Sequence, residues 1–352
     1  MAVIDKFFKA LKDKGGSDLH LQAGQPPKFR IHGRLEPLNM PPLSNAEATK
    51  ILYEIATPAQ RKHFQHNWDL DFSYELEGIA RFRCNYLMHQ NGIGAVFRII
   101  PTKIMTIEEL GVPNAISRFC TMRTGLCLVT GPTGSGKSTT LAAMIDLINR
   151  TQTKHVITIE DPIEFTHPNK KCVVTQREIG NDTESFASAL RAAAREDPDV
   201  VLVGEMRDLE TIALAITSAE TGNLVFGTLH TNSAAKTIDR VIDVFPEEQQ
   251  AQVRTMLSVS LLGVVAQLLL RRSDGNGRTA VNEVLFSSPA LGAIIREGAI
   301  HKVISYIESG RGEGMQLMDD SILARLKEGI ISPNEAYMKA ADKSRFEHLV
   351  RE

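Results

Sequence analysis

The chain has 352 residues, enough for two folded domains, and 43% of them are apolar, which excludes general disorder. Lys and Arg number 40 against 42 Asp and Glu, a formal net charge of -2, so no overall bias draws the chain to nucleic acid or to an anionic membrane. Cys84, Cys120, Cys127 and Cys172 form no C-x-x-C pair and no common zinc spacing, and read as reduced, mostly buried thiols of a cytosolic protein.

The first 100 residues read as a mixed α/β unit. Ile4 to Lys14 predicts an amphipathic helix with Ile4, Phe7, Phe8 and Leu11 on one face, and nothing before it has the long apolar run of a signal peptide. Ser17 to Gln22 and Pro27 to Gly33 alternate as strands, with a turn at Gly33-Arg34. Ser44 is an N-cap, with Glu47 in the capping-box position, for a helix from Asn45 to about Ala56. Asp69 to Tyr74, Ile79 to Leu87 and Gly94 to Ile100 are further strands, the last ended by Pro101. Residues 101–122 read as a linker, and residues 123–352 as a second domain.

In that second domain Leu126 to Thr130, Val156 to Ile159, Val200 to Val203 and Leu224 to Gly227 are short apolar strands. Helices at Ser138 to Asn149, Ser185 to Arg195 and Leu209 to Ala219 alternate with them, which predicts a largely parallel sheet covered on both faces. After Pro246 the pattern reads as helical: Glu247 to Leu270, Pro289 to Arg296, a stretch around His301 to Ser309, and two more. The longest apolar run, Met256 to Leu270, is broken by Ser258, Ser260 and Gln267. At about 1.5 Å per residue it falls short of a ~30 Å hydrocarbon core, so a buried helix is expected and no membrane insertion.

Between the first of these strands and its helix lies Gly131-Pro132-Thr133-Gly134-Ser135-Gly136-Lys137-Ser138-Thr139, which fits G-x-x-x-x-G-K-[ST]. Glycines let the backbone turn its N–H groups around phosphate oxygens, and the helix that follows aims its positive end at the same anion. Lys137 is expected to bridge the β- and γ-phosphates of ATP, and the Ser138 hydroxyl to ligate Mg²⁺. Hydrolysis needs a carboxylate to orient water, and Val200 to Glu205 is an apolar strand ending in an acid. Glu205 is the candidate, although Gly204-Glu205 stands where many P-loop proteins have Asp then Glu. A second acidic strand end, Ile157-Thr-Ile-Glu160-Asp161-Pro-Ile-Glu164, is expected beside the phosphate strand. Its carboxylates need a nearby cation, with Glu160 and Glu164 ahead of Asp161 as candidates for holding Mg²⁺. His230, at the end of another apolar strand, is either a packing residue or a sensor of the γ-phosphate.

These four stretches, with Gly204-Glu-Met-Arg-Asp and Gly227-Thr-Leu-His-Thr completing the last two, resemble the Walker A, Asp-box, Walker B and His-box motifs of the secretion ATPase superfamily. Ser17-Asp-Leu-His-Leu, Ala95 to Pro101, Ser233 to Pro246 and Gly314 to Asp319 extend the likeness over nearly the whole chain, to the type IV pilus retraction ATPases. The absence of a four-cysteine zinc cluster fits that branch. The resemblance implies a PAS-like N-terminal domain, a RecA-like ATPase domain with a helical C-terminal part, and a homo-hexamer. It implies that Arg81, Arg83 and Arg98 serve the nucleotide, a role guanidinium chemistry suits. It further implies a cytoplasmic motor powering pilus retraction and twitching motility. Such a motor reaches the inner membrane through a platform protein (PilC-type), with other pilus ATPases as further partners and no nucleic acid.

The sequence departs from that family at Ala290-Leu-Gly-Ala-Ile-Ile-Arg296, where Gly292 and Ala293 replace an Arg and an Asn. It departs again at Cys84 to His89 and at Ser258 to Val265. An accessory or regulatory paralogue, with little retraction of its own, is therefore the alternative to an independent motor. DNA translocation is a third reading, disfavoured by the balanced charge.

Overall fold

The computed structural model describes residues 2–31, 33–100 and 103–350, and the chain divides into two compact units, Met1–Lys103 and Ile104–Glu352. His32, within the strand read over Pro27 to Gly33, and Pro101, read as ending the last strand, lie outside the described residues.

In the first unit α1 (Val3–Asp13) buries Ile4, Phe7, Phe8 and Leu11, the face that the apolar spacing foretold. It lies with α2 (Asn45–Tyr53) and α3 (Pro58–Asn67) in one core with a six-stranded sheet. The strands are β1 (Asp18–Gln22), β2 (Lys28–Ile31), β3 (Arg34–Pro37), β4 (Asp69–Leu76), β5 (Ala80–His89) and β6 (Gly92–Ile100), in the order β3-β2-β1-β6-β5-β4. Every neighbouring pair is antiparallel. Gly33, at φ 82°, makes the β2–β3 turn that a side chain would resist. The core is aromatic: Phe8 stacks on Phe82 at 3.9 Å between centroids, Phe97 meets Phe8 edge-on, and the buried Tyr86 donates its hydroxyl to Leu52 O at 2.6 Å. Helix α3 is absent from the sequence reading, yet Thr57 caps it, Pro58 opens it and Gln60 completes a capping box.

The second unit begins earlier than the sequence suggested. Helices α4 (Ile107–Leu110) and α5 (Ser117–Cys120) lie in the stretch read as a linker, and Ile107, Val112, Ile116, Phe119 and Cys120 are buried in the second core. Then follow β7 (Gly125–Thr130), α6 (Lys137–Thr151), β8 (His155–Glu160), β9 (Val173–Glu178), α7 (Phe186–Ala193), β10 (Val200–Val203), α8 (Leu209–Glu220), β11 (Leu224–Leu229), α9 (Ala234–Asp243) and α10 (Glu247–Ser260). Strands β12 (Leu261–Arg271) and β13 (Arg278–Phe286) close the sheet, and α11 (Pro289–Arg296), α12 (Val303–Ser309), α13 (Met318–Lys327) and α14 (Pro333–Lys339) follow. The sheet order is β13-β12-β7-β11-β10-β8-β9, parallel throughout except for β13.

Two expectations are corrected here. The helix read over Glu247 to Leu270 stops at Ser260, and the rest is a strand paired to β7 on one side and β13 on the other. A central strand buried on both faces is a continuous apolar run, which periodicity does not distinguish from a buried helix. The β-branched Val264 and Val265 favour the strand. The strand β8 does not lie beside the phosphate strand: β11 and β10 stand between them. The β7–α6–β8 crossover skips two positions, which the later strands β10 and β11 fill.

All four cysteines are buried and free. Among the described residues no helix is long and apolar enough to cross a membrane.

Candidate active site

The carboxyl ends of the parallel strands carry the motifs, where open α/β sheets collect their ligands. Strand β7, with all six residues buried, runs directly into the glycine-rich loop. Gly131, Gly134 and Gly136 adopt φ of 146°, 77° and 86°, a region closed to most side chains. At Gly131 there is no room either: a Cβ would lie 2.3 Å from Gln267 O. Gly136 then caps the fifteen-residue α6, whose dipole points into the loop.

Lys137 opens that helix, is almost fully buried, and donates from Nζ to Gly131 O at 2.9 Å and Pro132 O at 3.2 Å. Burial lowers its pKa below the usual lysine range, and the charges of Glu205 and Glu164 act against that shift. The three groups thus share one electrostatic neighbourhood. Inside the same loop the buried Ser135 hydroxyl has no hydrogen-bond partner among the described residues, a donor suited to an anion's oxygens.

Glu205 follows β10. Its Oε1 accepts from His230 Nε2 at 2.7 Å and forms an ion pair with Arg207 Nε at 2.5 Å. Burial pushes its pKa up, but the hydrogen bonds and charges of Arg207 and His230 outweigh that and hold it below the usual carboxylate range. An ionised carboxylate only accepts, so Nε2 is the protonated nitrogen of His230 in this pair. The structure therefore brings Lys137, Glu205, Glu164 and His230 together and adds Arg207, the basic residue of Gly204-Glu-Met-Arg-Asp.

Gly204, the departure from the common Asp-Glu order, has a structural reason. A Cβ there would sit 3.0 Å from Ile159 O and 3.2 Å from Glu160 Cα. The end of β8 occupies the space that an acid at 204 would need. Glu160 is itself buried and held by donors: Thr158 Oγ1 at 2.7 Å, Gln176 Nε2 at 3.3 Å and the Glu164 amide at 3.3 Å. Burial raises its pKa although all three bonds favour the ionised form. Glu164, four residues on, is exposed, so of the Asp-box acids read as metal candidates Glu160 is enclosed and Glu164 is accessible.

A hydroxyl and carboxylates suit Mg²⁺, which binds through one or two protein carboxylates, phosphate oxygens and waters rather than in an all-protein cage. The Ser138 hydroxyl at the start of α6 and the exposed Glu164 carboxylate are donors of that kind.

Arg81, Arg83 and Arg98 lie on β5 and β6 of the first unit, with Arg83 directly opposite Arg98. Each is held by an acid of its own sheet: Arg81 by Glu75 at 3.9 Å, Arg83 by Asp71 at 3.7 Å and Arg98 by Asp18 at 2.9 Å. Burial would raise the pKa of Asp18, but bonds from Ser17 and Arg98 and the charges of Arg98 and Arg30 keep it low. Arg98, at 69% side-chain exposure, is the most accessible of the three.

The dependence of Glu205 on its two partners is measurable. A carboxylate with a lowered pKa stays ionised at neutral pH and protonates only below its ordinary range, so Glu205 imposes no acid limb on turnover near neutrality. Arg207→Ala removes a positive partner, raises that pKa, and moves the acid limb of kcat upward. An unmoved acid limb in a folded variant contradicts the pairing.

A family model described as Type II/IV secretion system protein matches residues 1–338. The chain is 53% identical over 327 residues to the Type IV pilus retractation ATPase PilT of Pseudomonas aeruginosa, covering 93% of this chain and 95% of that protein. It is 39% identical over 336 residues to the Type IV pilus ATPase PilU of the same organism, covering 96% and 88%. The crystal structure of the pilus retraction motor PilT with bound ADP matches at a TM-score of 0.92 and 43% identity, with 99% of each chain covered. The chain belongs to the Type II/IV secretion system protein family, among its ATPases of the pilus retraction type.

Proposed function

We propose that this protein is an ATP-hydrolysing motor that retracts type IV pili. The observation that carries the reading is Glu205: an ionised carboxylate in the electrostatic neighbourhood of the phosphate-loop lysine, braced at one oxygen by Arg207 and His230. In this account Oε2 of Glu205 orients and polarises the attacking water, the loop from Gly131 to Thr139 cradles the phosphates, and Lys137 leaves its loop carbonyls to neutralise the β- and γ-phosphates. His230 registers the γ-phosphate through its bond to Glu205. Ser138 and Glu164 hold Mg²⁺, while Glu160 positions the turn through the Glu164 amide. Bound there, Mg²⁺ supplies charge neutralisation at the phosphate oxygens.

The homo-hexamer, the PilC-type platform protein and the location at the cytoplasmic face of the inner membrane are carried over from the retraction ATPases. So is a part in turnover for Arg81, Arg83 and Arg98. Arg98→Ala lowers kcat by at least about tenfold with nucleotide affinity little changed, as loss of transition-state charge stabilisation requires. Unchanged kcat removes the arginines from the account. The reading as a whole is tested in a piliated bacterium lacking its retraction ATPase: expression of this chain restores twitching, and Glu205→Ala abolishes the rescue.

A second reading, an accessory paralogue, is favoured by α11. A Cβ on Gly292 would lie 2.9 Å from Ser258 O, and Arg296 Nη1 donates to Ser258 Oγ at 3.1 Å. Two departures from the retraction pattern, at 258 and 292, therefore meet in one α10–α11 contact. If twitching returns only when a second pilus ATPase is present, this reading replaces the first.

A further inference from the structure

Gln267 is the polar break in the apolar run of β12, and it is 2% exposed on a strand flanked by β7 and β13. It follows Ala266, the last β12 residue paired to β7, and so stands where β7 gives way to the phosphate loop. Its Nε2 donates to Ser135 O at 2.7 Å, and its Oε1 accepts from Thr140 Oγ1 at 2.8 Å and Asn282 Nδ2 at 3.0 Å. Asn282 is its direct cross-strand partner on β13. Its backbone carbonyl and its amide nitrogen fill the spaces where a Cβ on Gly131 and a Cβ on Gly136 would fall, at 2.3 Å and 2.8 Å. One residue therefore packs on the first glycine with its backbone, and on the last glycine and the Ser135 carbonyl with its side chain.

We propose that Gln267 is a positioning residue for nucleotide binding, a clamp that fixes the direction of the Ser135–Gly136 peptide. In a trans peptide the C=O and N–H point opposite ways. Holding Ser135 O against Gln267 turns the Gly136 N–H to the far side of the loop, the orientation that anion binding by backbone amides requires. Without the clamp the peptide is free to rotate and to present its carbonyl to a phosphate. Thr140 and Asn282 act through Gln267: by occupying Oε1 they leave Nε2 facing Ser135.

The inference rests on the phosphate-site reading, and the test separates the two. ADP affinity is measured by calorimetry on the full chain, with folding followed by circular dichroism. Gln267→Met keeps the volume and removes both polar atoms. It binds ADP at least about tenfold more weakly and raises KM for ATP while kcat at saturation changes less than about twofold, the pattern of lost ground-state binding. Gln267→Glu supplies a second measurement within one protein. Its buried carboxyl has a raised pKa, so at about pH 8.5 it faces Ser135 O with no donor, and at about pH 6 it regains an O–H donor. ADP affinity relative to the parent recovers as pH falls. Parental affinity in both variants, or a loss in Gln267→Glu that is equal at both pH values, overturns the clamp. If Lys137→Ala also binds ADP normally, the phosphate site itself is wrong. If it does not, only the clamp fails.

Discussion

Lys137→Ala raises the dissociation constant for ATP by at least about a hundredfold, a loss of about 3 kcal/mol. The size follows from what the ammonium does in the loop. Its Nζ already lies on the carbonyls of Gly131 and Pro132, and burial works against its charge. A bound triphosphate replaces those two neutral acceptors with ionised oxygens, so charge-assisted bonds are gained at a desolvated site. Alanine removes them all and is a good helix former at the start of α6, so the fold is retained. Nucleotide affinity by fluorescence titration, with circular dichroism as the folding control, checks the prediction. Parental affinity in a folded variant removes the assignment of the phosphate loop.

Glu205→Ala separates binding from chemistry. The carboxylate's hydrogen bond and ion pair run to His230 and Arg207. Its loss leaves the cradle intact and takes away the group that orients water. Turnover falls by about a hundredfold to ten-thousandfold, the range for removing a positioned acid–base group. Affinity for ATP changes little, or tightens because a negative charge near Lys137 has gone. Normal turnover transfers the water-orienting part to Glu164, the exposed acid of the Asp box.

The site was largely legible because its motifs are local. Gly131 to Thr139 dictate a turn by their glycines, and Val200 to Val203 form β10 with the bounds that the apolar run set. Ser44 and Glu47 form the capping box that their spacing implied. What stayed hidden depends on partners distant in the chain. Strand β12 looks like a helix until β7 and β13 are beside it. β9, Val173–Glu178, is only partly buried on the sheet edge and has no apolar alternation to announce it. Gln267 reads as a flaw in an apolar segment until Ser135, Thr140 and Asn282 surround it. The bond between Glu205 and His230 bridges two adjacent strand ends, and strand order is not written in either segment. Helix α3 is different: Thr57, Pro58 and Gln60 carry an ordinary start signal within the segment itself.

The account's central claim is that this chain turns over ATP through Glu205 as an assembled motor. Steady-state ATP hydrolysis by the purified protein, with oligomer mass measured in parallel and Glu205→Ala beside it, tests that claim most directly. The account predicts hydrolysis by a hexamer, lost in the variant while binding persists. Tight binding without turnover by the parent chain, or equal turnover by the variant, contradicts it.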